Sequence, residues 1–98
     1  MPVTGTYTIS VVTMNGIDKG KLILLEEQDG FVGTLENDAG ISMITNCIIE
    51  GNHITFEVQN KAITGHENAL VTGFVEGDTF RGLVKLPVGL LQMKGFRK

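Results

Sequence analysis

Cys47, His53, His66 and a scatter of carboxylates are the groups in this chain able to do chemistry. A nucleophilic thiol must be ionised and needs a base beside it. Cys47 instead sits in the apolar run Ile41–Ile49, which hides a thiol and raises its pKa, so it reads as a packing residue. His53 opens a β-type run directly after Gly51-Asn52, where polar side chains face water, and His66 lies between Gly65 and Glu67. With Glu50 or Glu67 these histidines could make a small metal or acid–base cluster, but no helical or Cys-x-x-Cys spacing holds them together. Each therefore reads as a surface histidine. No metal or cofactor is expected.

The glycine-rich turns fail as phosphate cradles for a similar reason: a cradle needs successive backbone N–H groups at the start of a helix, and no helix pattern follows any of them. The carboxylates Glu26, Glu27, Glu36, Asp38, Glu50, Glu76 and Asp78 fall at strand ends and turns, as a solvated rim would. A hard cation would want several of these oxygens in one loop.

The elements that must position these groups are strands. From Thr4 to Met14, Tyr7, Ile9 and Val11 alternate with Thr6, Thr8 and Ser10 at the period of two that gives a strand one apolar face. Asn15-Gly16 supplies the hairpin turn. Further strands are predicted at Lys19–Glu27, Phe31–Glu36, Ile41–Ile49 and from His53 to Gln59, then at Ala69–Val75, Thr79–Lys85 and Leu90–Phe96. The run Ile41–Ile49 carries apolar residues on both parities and asks for cover on both sides. Asn60–Asn68 is the longest break, and Ala62-Ile63 within it fits either a strand or a tucked loop. Gly33–Asp38 echoes Gly73–Asp78, which shared turn chemistry explains better than a duplicated half. The pattern is an all-β, antiparallel up-and-down meander of about eight strands, and a closed barrel removes the edges that this chain has no helix to cover.

At 98 residues the chain is one domain, 1–98, with 42% hydrophobic residues, no tryptophan and a net charge of −3. Its basic residues are scattered along the sequence, which argues against nucleic acid as a partner. No apolar run reaches a spanning length, so a membrane partner is not expected either. A single cysteine and a Met1-Pro-Val-Thr start without a secretory pattern make a reducing, cytoplasmic setting the expectation.

Gly5-Thr6-Tyr7 near the start, the succession of short hairpins and Gly95-Phe96-Arg97 near the end resemble compact lipocalin-like, or calycin-like, β-barrels. That group often carries Gly-x-Trp on the first strand and a basic residue on the last. The resemblance implies that Tyr7, in place of the usual Trp, and Arg97 stack to close the barrel. The alternative for the pair is a core tyrosine at a strand end and a solvated terminal cation.

Three functional readings follow. In the first, Tyr7, Ile9, Val11, Leu22, Leu24, Phe31, Phe56 and Met93 line a pocket for a small apolar ligand inside the barrel, with Gly33, Gly73 and Gly82 on the inward parity freeing space. In the second, the barrel is plugged, and Ile23, Leu25, Ile44, Ile48, Leu70, Phe74 and Leu83 form an outward apolar surface that makes a homo-oligomer, a symmetric dimer first of all. The third is a small-barrel enzyme using His53 or His66. A slip of one residue in the second, fourth or sixth strand would exchange its two faces.

Overall fold

The computed structural model describes residues 4–13, 16–28, 30–59, 68–87 and 89–98. Each run of alternating residues becomes a strand: β1 (Gly5–Thr13), β2 (Gly16–Glu27), β3 (Gly30–Asn37), β4 (Gly40–Glu50), β5 (His53–Val58), β6 (Ala69–Glu76), β7 (Thr79–Leu86) and β8 (Gly89–Arg97). Every strand pairs antiparallel with the next, and β8 pairs back onto β1, so the sheet is a closed up-and-down barrel. No helix occurs among the described residues. The second strand begins at Gly16 rather than Lys19, because Thr13–Gly16 already pair and the Thr13 hydroxyl donates to the Gly16 carbonyl at 3.0 Å. The break at Asn60–Asn68 lies, except for Asn68, outside the described residues, as does His66.

The seam is short and well tied. Tyr7 faces Arg97, Ile9 faces Gly95 and Val11 faces Met93 across β1 and β8. Past the ladder, the Lys98 amide donates to the Thr6 carbonyl at 2.9 Å and the Arg97 amide to the Asp78 carbonyl at 2.7 Å. Closure satisfies the backbone groups that an open edge would leave facing water or another chain.

Inward parity collects the core: Tyr7, Leu22, Leu24, Phe56, Phe80, Ile54, Val58 and Val71 are all less than 2% exposed. The Phe80 ring lies 6.2 Å from that of Tyr7, tilted by 58°. Gly33, Gly73 and Gly82 do face inward, but they do not open a chamber. A Cβ on Gly33 would stand 2.1 Å from the Ile23 carbonyl oxygen, and one on Gly73 would stand 2.4 Å from that of Arg81. These glycines let the strands coil tightly enough to close a narrow barrel, so the space that their side chains would take is occupied by neighbouring backbone.

One strand changes face part-way. Asn46 adopts φ 51°, the left-handed conformation that asparagine tolerates better than most residues, and the β4–β5 register shifts between Thr45 and Ile48. Before this bulge Ser42 and Ile44 point inward; after it Cys47 and Ile49 do. The apolar residues on both parities of this strand therefore reflect an exchange of faces rather than a strand covered on two sides. Ile41, Met43 and Ile48 are left outside, each more than half exposed.

Candidate functional site

Tyr7 and Arg97 meet across the β1–β8 seam. Arg97 donates from Nη2 to the Tyr7 hydroxyl at 2.7 Å, and its Cζ lies 5.3 Å from the Tyr7 ring centroid. Tyr7 is fully buried, and Arg97 runs along Gly5, where an added Cβ would sit 3.5 Å from its Nε. A side chain at Gly5 would meet Arg97 at ordinary contact distance, and it is the φ of 139° there that favours glycine. Tyr7 offers both ring and oxygen, and the cation covers the end of the core.

The expected interior pocket divides. Tyr7, Leu22, Leu24 and Phe56 belong to solid core. Phe31, the second residue of β3, stands half-buried and is not part of the packed cluster. Ile9, Val11 and Met93 do reach open space, a pocket of about 110 Å³ at the other end of the barrel. Leu35 and Leu91 share its apolar floor, and Thr13, Asp18, Lys19, Glu36 and Asn37 give it a polar lip. Sites for drug-sized ligands run from roughly 300 to 1,000 Å³, and this pocket by itself lies below that range. A second, more polar pocket of about 380 Å³ on the rim shares Asp18, Lys19 and Asn37 with it.

The expected outer surface divides as well. Ile44 is 6% exposed and faces inward, because it precedes the bulge and shares the parity of Ser42. Leu25, Ile48, Leu70 and Leu83 are exposed, while Ile23 and Phe74 are half-buried. They do not form one patch. Ile23, Leu25 and Ile48 lie on the β2–β4 wall, and Leu70, Phe74 and Leu83 lie on β6 and β7, across the barrel. The first wall is extended by residues that the parity reading left out: Ile23 and Met43 flank Thr34 in register, Leu25 faces Val32, and Ile41 faces Glu36.

On the opposite wall lies an open groove of about 450 Å³, lined by His53, Thr72, Gly73, Phe74, Arg81, Gly82, Leu83, Gln92, Met93 and Lys94. Phe74, Arg81 and Lys94 stand in one cross-strand row, since Phe74 pairs with Arg81 and Arg81 with Lys94. His53 continues the row, its ring 6.2 Å from that of Phe74. Basic residues scattered along the sequence are thus brought side by side. The signal was available in the hairpin after β7: pairing Leu86 with Gly89 places Arg81 opposite Lys94 by counting back along the two strands.

Cys47 is half-buried, and burial pushes its thiol above the ordinary value, which keeps it protonated and poorly nucleophilic. Among the described residues no group of three or more His, Cys, Asp or Glu side chains could hold a metal ion. No helix of the described residues is long and apolar enough to cross a membrane. No protein-family model matches the chain, and no curated protein matches it.

Proposed function

We propose that this protein is a binding and assembly module whose barrel is plugged and whose recognition surfaces are on the outside, with the β2–β4 wall joining two copies. The observation that carries this reading is the filled interior: among the described residues large side chains pack the middle of the barrel, and the pocket over Ile9, Val11 and Met93 holds about 110 Å³. Support for self-association comes from the composition of the wall. Leu25 is 53% exposed, Ile41 62% and Met43 66%. Apolar side chains this exposed and this close together mark an interaction surface. Lys21 and Glu36 face each other in register at the side of the patch. A two-fold axis through the wall can set the lysine of one copy against the glutamate of the other, as an isologous interface requires.

Kinship with the lipocalin-like, calycin-like barrels belongs to the same reading, supported by the eight-stranded closed topology and the Tyr7–Arg97 stack. A cytoplasmic setting is supported by the lone cysteine, which leaves no intrachain disulfide to form. The mouth favours a second, narrower reading in which a very small apolar molecule rests on Ile9, Val11, Leu91 and Met93.

Sedimentation velocity tests the main reading. The wild-type protein is expected as a dimer at micromolar concentration, and Met43→Asp as a monomer with an unchanged circular dichroism spectrum. A wild-type protein that stays monomeric throughout that range overturns it.

A further inference from the structure

We infer that the groove on the β5–β8 wall is a binding site for a small amphiphilic anion, a molecule with an apolar body and one carboxylate or phosphate head. Its volume of about 450 Å³ is within the range of small-molecule sites. The charge inside it has one sign. Arg81 and Lys94 stand directly opposite each other across β7 and β8, and among the described residues no aspartate or glutamate contributes to the lining. Two like charges facing across a ladder destabilise the sheet, and an anion placed between them removes that repulsion. The net charge of the whole chain is −3, so two facing cations in one groove are a local departure from the charge of the molecule.

The apolar part of the ligand has its own seat. Phe74 faces Arg81 from the next strand, and Leu83 follows two residues along on the same outer face as Arg81. Between these side chains Gly73 and Gly82 pair, so the wall there presents only backbone. Thr72 and Gln92 flank Leu83 in register and offer hydrogen bonds without adding charge. An apolar body over Phe74 and Leu83 leaves its head beside Arg81, whose planar guanidinium binds carboxylate and phosphate oxygens in pairs. A neutral molecule of the same shape would leave the two cations uncompensated.

Binding of the fluorescent probe 1-anilinonaphthalene-8-sulfonate to the folded protein, with dodecanoate, dodecyl phosphate and dodecanol as competitors, tests the assignment. Both anions are expected to displace the probe, and dodecanol is expected to need at least tenfold higher concentration. The anion that competes at lower concentration identifies the preferred head group. Arg81→Gln combined with Lys94→Gln should weaken probe binding at least tenfold with the melting temperature retained. Amide shifts in the wild-type protein titrated with dodecanoate should centre on Phe74, Leu83 and Gln92, which keeps the test valid if the double variant misfolds. Met43→Asp titrated with dodecanoate should keep the amide shifts at Phe74, Leu83 and Gln92, so loss of the dimer and loss of this site are separate results. Competition by dodecanol equal to that of the anions overturns the proposal, as do shifts centred on Val11 and Leu91 at the mouth.

Discussion

At the scale of single residues the barrel depends on contacts that permit no substitute of ordinary size or polarity. The Arg97 guanidinium both donates to the Tyr7 hydroxyl at 2.7 Å and covers its ring. A hydrogen bond from a charged donor contributes about 1.5–3 kcal/mol, and the cation–ring contact about 0.5–2. Arg97→Ala should therefore lower stability by roughly 2–3 kcal/mol, a fall in Tm of about 8–20 °C for a domain of this size. Tyr7→Phe, which keeps the ring and loses the oxygen, should cost less; calorimetry on the two variants checks the order. Gly33 makes a different demand, since a methyl group would overlap the Ile23 carbonyl oxygen. Gly33→Ala should cost about 1–3 kcal/mol through forced backbone movement, measured by urea unfolding. Cys47 supplies a pH effect. Because burial raises its pKa, the protonated thiol stabilises the fold fully at neutral pH, and that stability is lost as pH rises through the raised value. Iodoacetamide at mildly alkaline pH should label Cys47 more slowly in the folded protein than in urea; equal rates would contradict its protection.

At the scale of elements, strand existence was legible because β1 and β5 alternate cleanly and the hairpin turns carry Gly, Asn and Asp. Face was legible only where alternation held. In β4 the parity reading put Ile44 outside, and the structure puts it inside, because one left-handed residue at Asn46 reverses the alternation beyond it. Nothing in Ile41–Ile49 alone separates a bulge from a strand buried on both sides, as both place apolar residues at odd and even positions. The bulge is held by its neighbour strand: the Asn46 side-chain amide donates to the Glu57 carboxylate, and the Thr45 hydroxyl donates to the Glu57 carbonyl at 3.4 Å. Asn46→Val should destabilise by about 1–2 kcal/mol, the cost of a left-handed backbone for a residue with a branched side chain. Asn46→Gly keeps the conformation accessible and should lose only the contact with Glu57. Thermal melts that rank the valine variant at or above the glycine variant would refute this role for the bulge.

At the scale of the whole molecule, one closed sheet sets the exposed Leu25, Ile41 and Met43 of β2–β4 apart from the Arg81–Lys94 row of β7 and β8. Closure was inferable from the absence of any helix to cover an edge; the contents of the barrel were not, because glycine on the inward parity reads equally as empty space or as close backbone approach. Distances resolve it in favour of approach at Gly33 and Gly73. The site was legible in part: Tyr7 and Arg97 meet as their positions on the first and last strands implied, whereas the groove needed the pairing of β7 with β8 to bring Arg81 beside Lys94. Methyl-resolved NMR under xenon pressure tests the plugged interior most directly, since xenon enters apolar cavities and shifts the methyl groups that line them. Methyls of Leu22, Leu24, Ile54 and Val58 should show no saturable shift, with any response confined to Ile9, Val11, Leu35 and Leu91 at the mouth and to the outer walls. Saturable shifts at Leu22 and Leu24 would reveal a chamber in the middle of the barrel and contradict the account.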